Sequence, residues 1–189
     1  MRVLGISGSL RRDSYNSSLL RSAAELLPAG AELEVFDGLK AIPPYDADDD
    51  GIDAPAAVSE LREAIAEADA VLFATPEYNA SVSGVLKNAL DWASRPHATN
   101  PLRGVPTLVV GASTGMFGAV WAQADARKVL QTIGARVVDR ELPVAEAPER
   151  FDADGRLADD DLRELYGEIL GELADAVRAR DEGLARAAA

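Results

Sequence analysis

The sequence predicts an α/β protein, a three-layer α/β/α sandwich in which helices cover both faces of a five-stranded parallel sheet. Three observations predict it. Apolar runs of strand length alternate with segments whose apolar residues recur at helical spacing, in the order β-α-β-α-β-α-β-α-β-α. One of those runs, Ala70-Val71-Leu72-Phe73-Ala74, is apolar throughout, as a central parallel strand buried on both faces requires. The length, 189 residues, suits one domain with a sizeable core.

The elements follow in chain order. Val3, Leu4 and Ile6 form the first strand, the polar loop Ser7–Ser18 follows, and Leu19, Leu20, Ala23, Ala24, Leu26 and Leu27 carry the first helix. Leu33, Val35 and Phe36 read as the second strand. Residues 37–51 have no periodicity and hold Pro43-Pro44-Tyr45 and an acidic cluster. A loop of that length is often functional or mobile. Asp53 and Pro55 suit a helix start, with Val58, Leu61 and Ile65 on its buried face. After the strand at 70–74 comes the polar loop 75–84, then a helix through Val85, Leu86, Ala89, Leu90 and Ala93 that stops near Arg95-Pro96. Residues 105–110 are the fourth strand and 111–118 a loop of glycines and hydroxyls. Ala122, Ala126, Val129, Leu130 and Ile133 mark a helix closed by Gly134. Val137-Val138 make a short last strand, residues 139–158 are irregular and acidic, and Leu162 to Val177 form the clearest amphipathic helix. No repeat or linker interrupts the pattern, so residues 1–181 read as one domain and 182–189 as a frayed tail. Five strands alternating this way fit a flavodoxin-like order, 2-1-3-4-5, in which ligands sit beyond the carboxyl ends of the strands, at the switch point between strands 1 and 3.

Composition excludes several classes of function. There is no cysteine, which removes disulfides, thiol redox catalysis and cysteine-based phosphatase chemistry. The net charge of −13 argues against a nucleic-acid partner, because phosphate backbones need a basic footprint. The two acidic clusters, Asp46 to Asp53 and Asp152 to Asp161, read as solvated loops. No run approaches a membrane span, and the chain opens on a strand without signal-peptide anatomy, so a cytoplasmic protein is expected. No grouping of Asp, Glu and His has metal-ligand spacing.

The chemistry gathers in the loops after strands 1, 3 and 4, which the topology places on one rim. The first, Ser7-Gly8-Ser9-Leu10-Arg11-Arg12-Asp13-Ser14-Tyr15-Asn16-Ser17-Ser18, feeds a helix N-terminus, where free N–H groups and a partial positive charge favour anions. Hydroxyls at Ser9, Ser14 and Ser17, the Asn16 amide and the Arg11 guanidinium are suitable phosphate donors. A polar loop ending in an N-cap has the same composition. Neither the P-loop nor the G-x-G-x-x-G dinucleotide fingerprint is present. Three polar, glycine-bearing loops on one rim favour a planar ligand that carries a phosphate.

These residues resemble a known family. Gly8-Ser9-Leu10-Arg11-x-x-Ser14-x-Asn16 is similar to the phosphate loop of the NAD(P)H-dependent FMN reductases. Pro76-Glu77-Tyr78-Asn79, with Ser81, Gly84 and Leu86-Lys87-Asn88-Ala89-Leu90-Asp91-Trp92, is similar to their isoalloxazine loop and the helix after it. The resemblance spans roughly residues 2–145, and the pairing of both motifs at this separation is specific. Asp13 departs from the glycine or small residue many relatives carry. The resemblance implies an FMN-dependent oxidoreductase that takes electrons from NADPH or NADH and gives them to quinones, azo dyes, metal oxyanions or free flavin by a ping-pong mechanism. It implies that Ser9, Arg11, Ser14, Asn16 and Ser17 hold the phosphate. Pro76, Glu77, Tyr78 and Asn79 then line the ring, largely through backbone N–H groups, and Ser113, Thr114 and Gly115 lie towards its pyrimidine end. No side chain need act as acid or base, because the flavin carries the redox chemistry. A homodimer or homotetramer is implied, with the helix from Val85 to Ala93 and Trp92 at its surface. Trp92 reads as an interface residue ahead of core, Tyr45 as a lid or as plain surface, Glu77 as a salt bridge or a helix cap ahead of a base, and His97 as a loop residue. The alternative to an enzyme is a flavodoxin-type electron carrier serving a protein partner, which the acidic composition favours.

Overall fold

The structure, a computed structural model, describes residues 1–51 and 54–187. The strands are β1 (Arg2–Ser7), β2 (Glu32–Phe36), β3 (Ala70–Thr75), β4 (Pro106–Ala112), β5 (Arg136–Val137) and β6 (Pro143–Val144). They pair in parallel in the order β2-β1-β3-β4-β5, with β6 also on β4. The flavodoxin-like order expected from the sequence is therefore present. Its last position is shared by two short strands, because the charged stretch Asp139-Arg140-Glu141 interrupts the apolar run. The sequence pattern missed β6, which lies inside the segment expected to be irregular.

The helices are α1 (Tyr15–Leu26), α2 (Ala56–Ala66), α3 (Gly84–Ala93), α4 (Val120–Thr132) and α5 (Asp160–Ala187). Strand side chains alternate between two cores, as the period of 2 requires. Val3, Leu72, Leu108 and Val110 pack with Leu19 and Leu20 of α1 and Tyr166, Ile169, Leu170 and Leu173 of α5. Leu4, Ile6, Val71, Phe73 and Val109 pack with Leu61 and Ile65 of α2, Leu86 and Leu90 of α3 and Leu130 of α4. Tyr166 is fully buried and its hydroxyl donates to the Leu19 carbonyl. Burial pushes its phenol far above the usual range, so it stays neutral.

Three expectations change. Trp92 is fully buried: its Nε1 donates to the Pro43 carbonyl and its ring meets Tyr45 edge-on at 4.9 Å. It is core, not an interface residue. The same contacts, with Asn88 donating to Pro43 O and accepting from Tyr45 N–H, fasten Pro43–Tyr45 to α3, so this part of the long loop is not a free lid. The last helix continues to Ala187 and takes in residues 182–187 of the expected frayed tail. Glu182 and Arg186 pair one turn apart, and Leu and Ala favour helix. Asp53 and residues 188–189 lie outside the described residues.

One side chain completes the sheet where a strand runs out. The last β3 residue, Thr75, lies beside Gly111, so the next residue of β4, Ala112, has no strand neighbour on that side. Asn16 of α1 takes the place. Its Nδ2 donates to Ala112 O at 3.0 Å and its Oδ1 accepts from Ala112 N–H at 3.0 Å. A carboxamide can do this because it presents the same donor and acceptor as a peptide. Asn16→Ala leaves two buried backbone groups without partners, each costing roughly 1–3 kcal/mol. Urea unfolding should show a loss of roughly 2–6 kcal/mol, with an unchanged slope on denaturant.

Candidate active site

β1, β3 and β4 lie in register, with Ser7 beside Ala74 and Ala74 beside Val110. Their following loops leave from one rim. The first loop abuts the second. Gly8 N–H donates to Ala74 O at 2.8 Å, and Ser83 Oγ donates to Gly8 O at 2.6 Å. A Cβ on Gly8 would stand 3.1–3.2 Å from Leu86, Ser83 and Pro76, which explains the glycine by close packing of loop on loop.

Beyond Gly8 the first loop is open to an anion. The N–H groups from Leu10 to Ser14 make no hydrogen bond among the described residues, and the exposed Arg11 makes no ion pair among them. Ser14 is the N-cap of α1, its Oγ accepting from Asn16 N–H at 3.2 Å and Ser17 N–H at 3.4 Å. The hydroxyl proton of Ser14 is thereby left to donate. Ser17 turns inward, donating to Ser7 Oγ at 3.1 Å. The Asn16 amide is committed at both ends to Ala112. Sequence reasoning placed all five residues at an anion, but the structure gives Asn16 and Ser17 internal bonds that shape the loop.

The second loop is a tight turn. Tyr78 N–H donates to Ser81 O at 3.0 Å and Ser81 N–H to Tyr78 O at 3.2 Å, around Asn79 and Ala80, both left-handed at φ 54 and 58. Two consecutive positive φ values make this a type I′ turn. Tyr78 N–H is consumed inside it, whereas Glu77 and Asn79 N–H make no bond among the described residues. Glu77 resolves as a helix cap: its Oε2 accepts from Trp121 N–H at 3.0 Å and Ala122 N–H at 3.1 Å at the start of α4.

The third loop is held by the chain after β6. Ser113 N–H donates to Val144 O, Ala147 N–H to Ser113 O and Glu146 N–H to Gly115 O, each at 3.0 Å. Gly118, at φ 59, lies so close to Pro143 that a Cβ would stand 2.5 Å from its carbonyl carbon.

One cleft runs between the three loops. Ser9, Arg11, Ser14 and Asn16 line one end, Pro76, Glu77 and Tyr78 a second side, and Ser113 and Thr114 the third. Tyr15 and Ala112 also line it. Sequence reasoning missed them, although Tyr15 follows the N-cap serine and was findable by position. Ser17, Asn79 and Gly115 do not line the cleft as it stands. His97 is elsewhere, beside Arg103 at 3.3 Å. Of the exposed large apolar side chains, Leu10, Tyr78, Met116, Phe117 and Trp121 stand on these loops or the first turn of α4, with the Phe117 and Trp121 rings tilted against each other at 4.8 Å, whereas Val35 and Leu184 lie elsewhere.

Known proteins match this arrangement. The family model described as NADPH-dependent FMN reductase matches residues 1–149, which include all three loops. An NAD(P)H-dependent FMN reductase of Pseudomonas aeruginosa is 47% identical over 174 residues, covering 92% of this chain and 93% of that protein. A 2-hydroxy-1,4-benzoquinone reductase of Burkholderia is 35% identical over 181 residues, covering 95% and 98%. Among solved structures, the flavoenzyme NAD(P)H:(acceptor) oxidoreductase from Paracoccus denitrificans superposes with a TM-score of 0.84 at 34% identity, covering 95% of this chain and 98% of that one. With the strand order, the rim of three loops and the sequence all agreeing, the chain belongs to the NADPH-dependent FMN reductase family.

Proposed function

We propose that this protein takes electrons from NADPH or NADH and, through FMN held in the three-loop cleft, gives them to quinones and related acceptors. The observation that carries this reading is the cleft on one rim where the first loop, with Arg11 and N–H groups that make no hydrogen bond among the described residues, meets the loops at Pro76–Tyr78 and Ser113–Thr114. The donor set fits the cofactor. Arg11, the free N–H groups from Leu10 to Ser14 and the hydroxyls of Ser9 and Ser14 suit a phosphate dianion. Asn16 and Ser17 support that loop from behind. The slot between Pro76–Tyr78 and Ser113–Thr114 suits a flat ring, with the Glu77 N–H, unbonded among the described residues, as a donor at its edge and the Asn79–Ala80 turn beside it. Bound FMN supplies the two-electron redox chemistry. The chain's own residues hold the phosphate, orient the ring and leave one side open to successive partners, which supports a ping-pong sequence. The cleft-lining carboxylate Glu77 accepts at Oε2 from the N–H groups that open α4 and serves there as a helix cap. The reaction draws on the reduced nicotinamide pool, which favours a cytoplasmic setting.

The apolar side chains around the cleft favour small planar acceptors over an acidic docking face for a protein partner. Azo dyes fit the same opening, whereas metal oxyanions and free flavin depend on the open ring face alone. We also infer a homodimer or homotetramer. With Trp92 buried, Phe117 and Trp121, exposed beside the cleft, offer apolar surface for it.

Several measurements test this. Purified protein should hold about one FMN per chain and bind riboflavin far more weakly; equal affinities would remove the phosphate assignment. A hydrogen bond to a charged group contributes roughly 1.5–3 kcal/mol, so Arg11→Ala should weaken FMN binding roughly ten- to a hundredfold, while FMN-saturated turnover falls far less. Anaerobic addition of NADH or NADPH should bleach the yellow protein within seconds, as an electron carrier would not. Steady-state rates with several quinones should give parallel double-reciprocal lines; intersecting lines would show a ternary complex. Light scattering at micromolar concentration should give a mass at least twice that of one chain.

A further inference from the structure

The turn at Asn79 and Ala80 is a strained feature beside the cleft. Asparagine tolerates the left-handed region, but alanine has no local bond to offset it. Ala80 holds φ 58 next to Asn79 at φ 54. Residues kept in such conformations persist only where the surroundings over-determine them. The turn's own two backbone bonds close it but do not place it in the molecule.

Two carboxylates do place it, and both join it to α4. Glu77, one residue before the turn, accepts from Trp121 and Ala122 N–H. That helix needs an external cap, because the residue at its own cap position, Ala119, is a left-handed alanine without a side-chain acceptor. On the far side of the turn, Ser81 Oγ donates to Asp125 Oδ2. Residues 121 and 125 are one helical turn apart, so both flanks of the strained turn are fastened to a single face of α4.

We propose that Glu77 and Asp125 act together as positioning residues, a two-point clamp that sets where the Asn79–Ala80 turn stands against the ring of the cofactor. This rests on the FMN reading of the cleft. Under it, the placement of the ring's N–H donors is decided by α4 and not by β3, from which the loop departs. Neither carboxylate takes part in proton transfer; each serves as a fixed acceptor.

The test uses the FMN-loaded full chain and two readouts, FMN dissociation constant by fluorescence and flavin midpoint potential by dye-equilibrated titration. Glu77→Ala and Asp125→Ala should each weaken FMN binding about five- to twentyfold, in the range of a lost helix cap, and should displace the midpoint potential. Glu77→Gln and Asp125→Asn, which keep an acceptor oxygen, should bring the affinity back to within about threefold of the parent. The double alanine variant should lose less than the product of the two single losses, because each releases the same turn. Ala80→Gly placed in Glu77→Ala should recover part of the affinity, because glycine adopts a positive φ without strain. Alanine variants that melt at lower temperature yet keep the parent affinity and potential would reduce the pair to a fold-stabilising role and overturn the proposal. A Glu77→Gln as impaired as Glu77→Ala would overturn it in favour of a role for the charge. If Arg11→Ala also left FMN affinity unchanged, the cofactor reading itself would fall; if Arg11→Ala weakened binding and the clamp variants did not, only the clamp would.

Discussion

Everything at the rim depends on the register of three parallel strands. Because Ser7, Ala74 and Val110 stand side by side, the chain leaves β1, β3 and β4 at one level and must turn there three times within a narrow space. Strand ends expose backbone groups that a buried site cannot leave unpaired. The side chains nearest the rim are largely occupied with this. Asn16 replaces the missing neighbour of Ala112, Ser83 meets the Gly8 carbonyl and Ser14 caps α1.

These loops support one another, and that explains why their sequences are so constrained. A Cβ at Gly8 would press on the second loop and the start of α3, and Gly118 has no room for one because Pro143 lies on it. The short strand β6 is part of the same arrangement. It continues the sheet where β5 stops and brings Pro143 and the following bonds from Ala147 and Glu146 against the third loop. Loops that brace one another in this way limit the ordering cost of binding.

Electrostatics divides the cleft into two ends. The protein carries a charge of −13, yet at the cleft end of the first loop Arg11 makes no ion pair among the described residues and a run of N–H groups makes no hydrogen bond among them, next to a helix N-terminus. At the other end the carboxylate of Glu77 is turned away into the start of α4. An anion is thus favoured at one end, and a neutral or electron-rich ring edge meets N–H donors at the other. The apolar side chains around the opening complete a surface suited to flat organic molecules.

The sequence by itself determined the alternation of strands and helices, the parallel order of the sheet and the identity of its three rim loops, because periodicity and glycine-rich turns are local properties of the chain. It also carried the family resemblance, through the loops at Gly8–Asn16 and Pro76–Asn79. What it could not determine was the partner of each polar side chain. Asn16 and Ser17 belong by composition to an anion loop, but only the folded chain shows Ala112 and Ser7 taking their bonds. Trp92 sits at a helical position that suits an interface as well as a core, and only the packing of Pro43 and Tyr45 against it decides for the core. Glu77 was readable as base, salt bridge or cap until α4, more than forty residues later, presented two N–H groups to it. Those choices rest on contacts between residues far apart in sequence, which tertiary packing alone brings within hydrogen-bonding distance.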